Sequence, residues 1–111
     1  MTTTATPVLQ LDVERQPATT LVHCAGKVII ESCPLFSSTV RPLIPEGKPI
    51  RVNLAKVTQV DSVGIGTFVG LWASATNNGV ELKFVHPSPQ VRDLVEITRL
   101  HEMFDQWTVS A

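Results

Sequence analysis

Hydrophobic and polar positions change rhythm several times along this chain, and each change marks an element. Leu9, Leu11 and Val13 alternate with Gln10, Asp12 and Glu14. One apolar face at period two predicts a strand. Gln16-Pro17-Ala18 supplies a turn, and Thr20 to Ala25 gives a second extended run, which Val28-Ile29-Ile30 continues beyond a bend at Gly26-Lys27. Ser32-Cys33-Pro34 then reads as a helix start. A serine can cap free amides, and proline is tolerated in a first turn, where its missing N–H had no partner. Leu35, Phe36, Val40, Leu43 and Ile44 form the apolar face of this helix, and Pro45-Glu46-Gly47-Lys48-Pro49 ends it.

Ile50, Val52 and Leu54 alternate with Arg51 and Asn53, which predicts a third strand over Ile50 to Leu54; Val57 and the polar pair Thr58-Gln59 follow before Val60. From Ser62 the rhythm turns helical. Ile65, Phe68, Val69, Leu71, Trp72 and Ala75 line a wide stripe, and Asn77-Asn78-Gly79 is the stop. No charged residue stands between Ser62 and Asn78. A helix apolar nearly all round is expected to be well buried. Val80 to Val85 alternates as a fourth strand. Ser88 and Pro89 then open a helix whose apolar positions are Val91, Leu94, Val95 and Ile97. Leu100 to Phe104 is a short apolar segment, and Trp107 to Val109 reads as a last edge strand.

The order is β-β-α-β-α-β-α. Each helix carries the chain back to start a parallel strand, whereas the first two strands have no helix between them and form a hairpin. The expected fold class is α/β, a single domain with a mixed sheet of four to five strands and helices packed on it. Residues 1–8 are expected to be a flexible leader and residues 9–111 the domain.

Composition narrows the function. A chain of 111 residues with 43% hydrophobic and 17% charged positions suits one globular domain and argues against disorder. The net charge is -1 and the cations are scattered. Binding to nucleic acid or to an anionic membrane surface needs clustered cations, so neither is expected. No apolar run has the length of a membrane span, and Met1 to Pro7 lacks the features of a signal peptide. The expected compartment is the cytoplasm. Cys24 and Cys33 form no CxxC pair, and the three histidines are not at zinc spacing from them. They read as reduced thiols, with no metal and no cofactor. His23 reads as a satisfied strand histidine rather than a catalytic base.

The chemistry concentrates in Val60-Asp61-Ser62-Val63-Gly64-Ile65-Gly66. This run lies at a strand-to-helix switch, and in parallel α/β sheets sites form at strand C-termini. Asp61 or Ser62 can cap the helix. Gly64 and Gly66 put no side chains beside the turn, so a partner backbone or an anion can approach, and the same glycines suit close packing on the sheet. The third glycine of a dinucleotide fingerprint and the GK[ST] of a phosphate loop are both missing. Only the adjacent Asp61 is placed to activate Ser62, and a sequence neighbour is poorly placed to do so, so no enzyme is expected.

These residues carry a resemblance. Ile50-Arg51-Val52-Asn53-Leu54 followed by Val60 to Gly66 resembles the central signature of STAS domains, and of bacterial anti-sigma factor antagonists in particular. Gly79 to Val85, Pro89 to Val95 and Leu100 to Phe104 fit the same pattern, so the likeness runs from about residue 9 to near the end. The resemblance implies that Ser62 is a phosphorylation switch. It implies a partner surface of Asp61, Ser62, Val63, Gly64, Ile65 and Gly66, with Lys27 in the neighbouring loop. The implied partners are an anti-sigma factor that is also a serine kinase, and a serine phosphatase that resets the switch. The antagonist itself would have no catalytic activity. Two departures stand out. Many antagonists carry G-E-[IL]-D where this chain has Gly26-Lys27-Val28-Ile29, so both acidic positions are absent. Val63 replaces a small or hydroxylated residue. As the alternative, the resemblance allows a non-phosphorylated subunit or scaffold of a lipid-transport ATPase or signalling complex.

Overall fold

The computed structural model describes residues 7–104. Strand β1 (Leu9–Arg15) pairs antiparallel with β2 (Thr20–Val28) across the Gln16-Pro17-Ala18 turn. Helix α1 (Cys33–Val40) returns the chain to β3 (Ile50–Val60), and α2 (Ser62–Asn77) returns it to β4 (Leu82–Val85). Helix α3 (Pro89–Thr98) follows, then a short 3-10 turn, His101–Met103. The sheet order is β1-β2-β3-β4, with β2, β3 and β4 parallel. The mixed four-stranded α/β fold is the one the alternating patterns predict. The edge strand expected over Trp107–Val109 lies outside the described residues. At its threshold Phe104 forms an isolated parallel bridge with Phe84.

Some boundaries differ, each for a local reason. Strand β2 ends at Val28 rather than running to Ile30, because Ile29 to Ser32 fold into a tight turn closed by Ser32 N–H to the Ile29 carbonyl at 2.9 Å. The helix expected over residues 33–44 changes to a 3-10 helix at Arg41–Glu46. Pro42 and Pro45 have no N–H to donate to an α-helical ladder, so the chain tightens there. Strand β3 runs on to Val60, beyond the clear alternation that stops at Leu54. Val8, read as leader, accepts the Lys27 amide at 2.8 Å.

The core lies on one face of the sheet. Ile50, Val52 and Leu54 are fully buried, whereas Arg51 and Asn53 on the alternate positions remain partly exposed. This is the burial pattern of a strand covered on one side. Phe36, Phe68, Phe84 and Phe104 form a row through the core. Successive ring centroids lie 5.3, 4.7 and 5.6 Å apart in tilted arrangements. Aromatic pairs at such spacings add to simple area burial. Cys24 and Cys33 are both buried free thiols. Burial pushes the Cys24 thiol up to about 12.

Helix α2 corrects one expectation. It is not enclosed. Gly64, Phe68, Leu71 and Ala75 are buried, but Val63, Gly66 and Gly70 are exposed and Ile65, Val69 and Trp72 only partly covered. In a domain of this size one layer of helices rests on the sheet, so each helix keeps an outer side. The outer side of α2 carries apolar and small residues where charged ones are usual.

Candidate functional site

The topology itself makes the site. Strands β2 and β3 are parallel, and Val28 pairs with Val60 at their ends. The β2–α1 loop and the start of α2 therefore emerge side by side at the C-terminal ends of the two inner strands. Asp61 joins them. It is the N-cap of α2 in extended conformation, and its Oδ1 accepts the Gly64 amide at 2.8 Å. Its Oδ2 accepts the Ile30 amide of the neighbouring loop at 2.9 Å. The Asp61 amide donates to the Val28 carbonyl at 3.3 Å, and its own carbonyl receives the Ile65 amide at 3.0 Å. The Gly64 amide, with smaller help from Ile30 and Val63, holds the carboxyl below its ordinary 3.8.

Ser62 is the first residue of α2 and is exposed. Its hydroxyl has no hydrogen bond among the described residues, and in particular no histidine or carboxylate engages it. Both oxygens of Asp61 are already committed to backbone amides. Among the described residues the Ser62 hydroxyl therefore has no base beside it to activate it.

The two glycines, similar on paper, do different things. A Cβ on Gly64 would lie 2.8 Å from Val60 Cγ1 and closer still to the Val28 carbonyl oxygen. Gly64 is buried and lets α2 press onto β2, so it offers no surface to a partner. A Cβ on Gly66 would meet nothing within 4 Å. Gly66 is open to contact. Val63 is 41% exposed, and Ile65 is half-buried against the core.

Lys27 projects from the end of β2, paired with Gln59 of β3. The loop after it is built by Ser32. This serine does not cap α1, as its position suggests it should. Its hydroxyl donates to the Lys27 carbonyl at 2.6 Å and accepts the Ile29 amide at 3.0 Å. The residue the pattern does not reveal is Ile30. It reads as strand, yet it stands on this loop 62% exposed, beside Asp61. His23 lies elsewhere, on the open sheet face, with its Nε2 3.2 Å from Glu14 Oε1. The described residues contain no cluster that could hold a metal ion and no helix long and apolar enough to cross a membrane.

This fold, with its serine on the helix after the third strand, matches a known class. The STAS domain family model matches residues 10–111, and the chain belongs to the STAS domain family. Among similar proteins is the anti-sigma-B factor antagonist of Bacillus subtilis, 30% identical over 97 residues that make up 87% of this chain and 89% of that protein. The anti-sigma-B factor antagonist of Staphylococcus aureus is 31% identical over 83 residues, covering 74% and 77% of the two chains. An anti-sigma factor antagonist from Mycobacterium paratuberculosis shares the fold with TM-score 0.78 at 17% identity, over 91% of this chain and 86% of that one. The unphosphorylated form of the antagonist SpoIIAA does so with TM-score 0.73 at 19% identity, over 89% of each chain.

Proposed function

We propose that this chain is an anti-sigma factor antagonist in a partner-switching system. Unmodified, it binds a serine-kinase anti-sigma factor through the surface around Ser62 and so releases a sigma factor. Phosphate on Ser62 ends the binding, and a serine phosphatase restores it. The chain acts as a binding module in the cytoplasm, not as a catalyst. The observation that carries this reading is the free, exposed Ser62 hydroxyl at the first position of α2.

Phosphate adds roughly -1.5 to -2 charge at neutral pH. On Ser62 it breaks no hydrogen bond among the described residues, so the fold is kept. The positive end of the α2 macrodipole favours it. A partner seated on Ser62, Val63 and Gly66 would instead meet new charge and bulk next to the Asp61 carboxylate. The similarity to named antagonists over most of both chains supports the same reading.

The test uses each serine-kinase anti-sigma factor encoded in the source genome, purified and incubated with this chain and ATP. Mass spectrometry should place phosphate on Ser62 alone. Ser62→Ala should bind and resist modification, and Ser62→Asp should lose binding. Phosphate elsewhere, or wild-type binding by Ser62→Asp, overturns the proposal.

Lys27 favours a second reading. Its positive, exposed side chain stands where many antagonists are acidic. A constitutive subunit or scaffold of a lipid-transport ATPase or signalling complex would use the same surface without phosphate. It would co-purify with its partner regardless of Ser62→Ala.

A further inference from the structure

The β2–α1 loop carries an apolar side chain into solvent, and a hydrogen bond from its backbone to a distant carboxylate holds it there. Ile30 is 62% exposed, second only to Ile97 among the large hydrophobic residues described. Loops are commonly the more mobile parts of a surface. This one is tied at three points. Ser32 Oγ bonds the Lys27 carbonyl and the Ile29 amide at 2.6 and 3.0 Å. The Ile30 amide itself donates to Asp61 Oδ2 at 2.9 Å, across a separation of 31 residues. Asp61 thus spans two elements with one carboxylate, Oδ1 on α2 and Oδ2 on the loop. Capping α2 needs only the first of these.

We infer that Ile30 is a contact residue for the anti-sigma factor and that Asp61 is its positioning residue, fixing the Ile30 backbone next to Ser62 and Val63 so that the apolar contact is formed in advance. The inference rests on the functional reading above. Val63, 41% exposed on the adjoining first turn, supplies a second apolar side chain on the other side of the Asp61 link. The face around Ser62 therefore offers two apolar side chains, Ile30 and Val63, beside the charges of Asp61 and Lys27. Holding the loop beforehand lowers the ordering cost of binding. It would also make a phosphate on Ser62 disruptive to binding. Desolvating a dianion between two apolar contacts is costly.

Asn at position 61 separates the two roles of Asp61. Its single carbonyl oxygen can keep the Gly64 amide, but its NH2 group cannot accept from Ile30. In free protein, amide exchange by NMR should show Ile30 exchanging about tenfold faster in Asp61→Asn, with Gly64 still protected. Equal Ile30 protection in both proteins overturns the positioning role without reference to any partner. In titrations against the serine-kinase anti-sigma factors of the source genome, Ile30→Ala should weaken binding about tenfold at an unchanged melting temperature. Asp61→Asn should weaken binding as well, and the double variant should be no weaker than Ile30→Ala alone. Additive losses, or wild-type binding by Ile30→Ala, overturn the inference. Absence of binding by the wild-type chain overturns the functional reading instead.

Discussion

Gly64 of α2 and the carbonyl of Val28 in β2 stand in contact with no room for a side chain between them. The strand end and the helix start are thereby pressed together, and the Asp61 amide bonds to the same carbonyl at 3.3 Å. Gly64→Ala forces a Cβ against backbone, which cannot swing aside. It should cost about 2–4 kcal/mol, measured by urea unfolding. Gly66→Ala is the control. Its Cβ meets nothing within 4 Å. Replacing a helical glycine with alanine there should stabilise by about 0.5–1 kcal/mol.

Acid should weaken the Asp61 link. Its carboxyl titrates below the ordinary 3.8 because it accepts backbone amides, Gly64 first. A depressed carboxyl contributes stability that is fully present above the unfolded value and is lost as pH falls through the folded one. The difference in melting temperature between wild type and Asp61→Ala should therefore be constant from neutral pH down to about 4 and shrink below it. Thermal melts from pH 7 to pH 2 check this.

Ser62 substitutions should separate folding from binding. The hydroxyl holds nothing in place, so Ser62→Ala and Ser62→Asp should both unfold within about 0.5 kcal/mol of wild type, the helix dipole and the Asp61 charge offsetting one another for the aspartate. Denaturant curves give the comparison. A loss of binding by Ser62→Asp then reports on the interface alone.

Much of this was legible in the residues. Alternation at Leu9 to Val13 and at Ile50 to Leu54, and the switch of rhythm at Ser62, placed the strands and the helices and pointed to the candidate site. Period patterns report which side of an element is apolar. They do not report whether anything covers it, which is why α2 looked enclosed. Ser32 resembles a helix cap because a cap and a loop tie use the same hydroxyl. Gly64 and Gly66 look alike because only the neighbouring strand distinguishes them. Ile30 reads as strand because three successive β-branched residues favour extended chain, and the bond that turns it outward comes from Asp61, distant in sequence.

Loop and core should respond differently to truncation. Ser32→Ala removes a donor and an acceptor from a buried position and should cost about 1–2 kcal/mol in a urea titration. Phe68→Ala opens a gap between the rings of Phe36 and Phe84, whose centroids lie 5.3 and 4.7 Å from that of Phe68, and should cost about 3–5 kcal/mol.

The two buried thiols give the molecule an internal clock. Only a thiolate reacts with an alkylating reagent, and Cys24, pushed up to about 12 inside β2, can react only when the sheet opens. Cys33 begins α1, directly after the loop that carries Ile30. Each cysteine is stationed in a different element, one in the sheet and one at the first position of α1. Their labelling rates would therefore time two separate openings of the same native chain, one of the sheet and one of the start of α1.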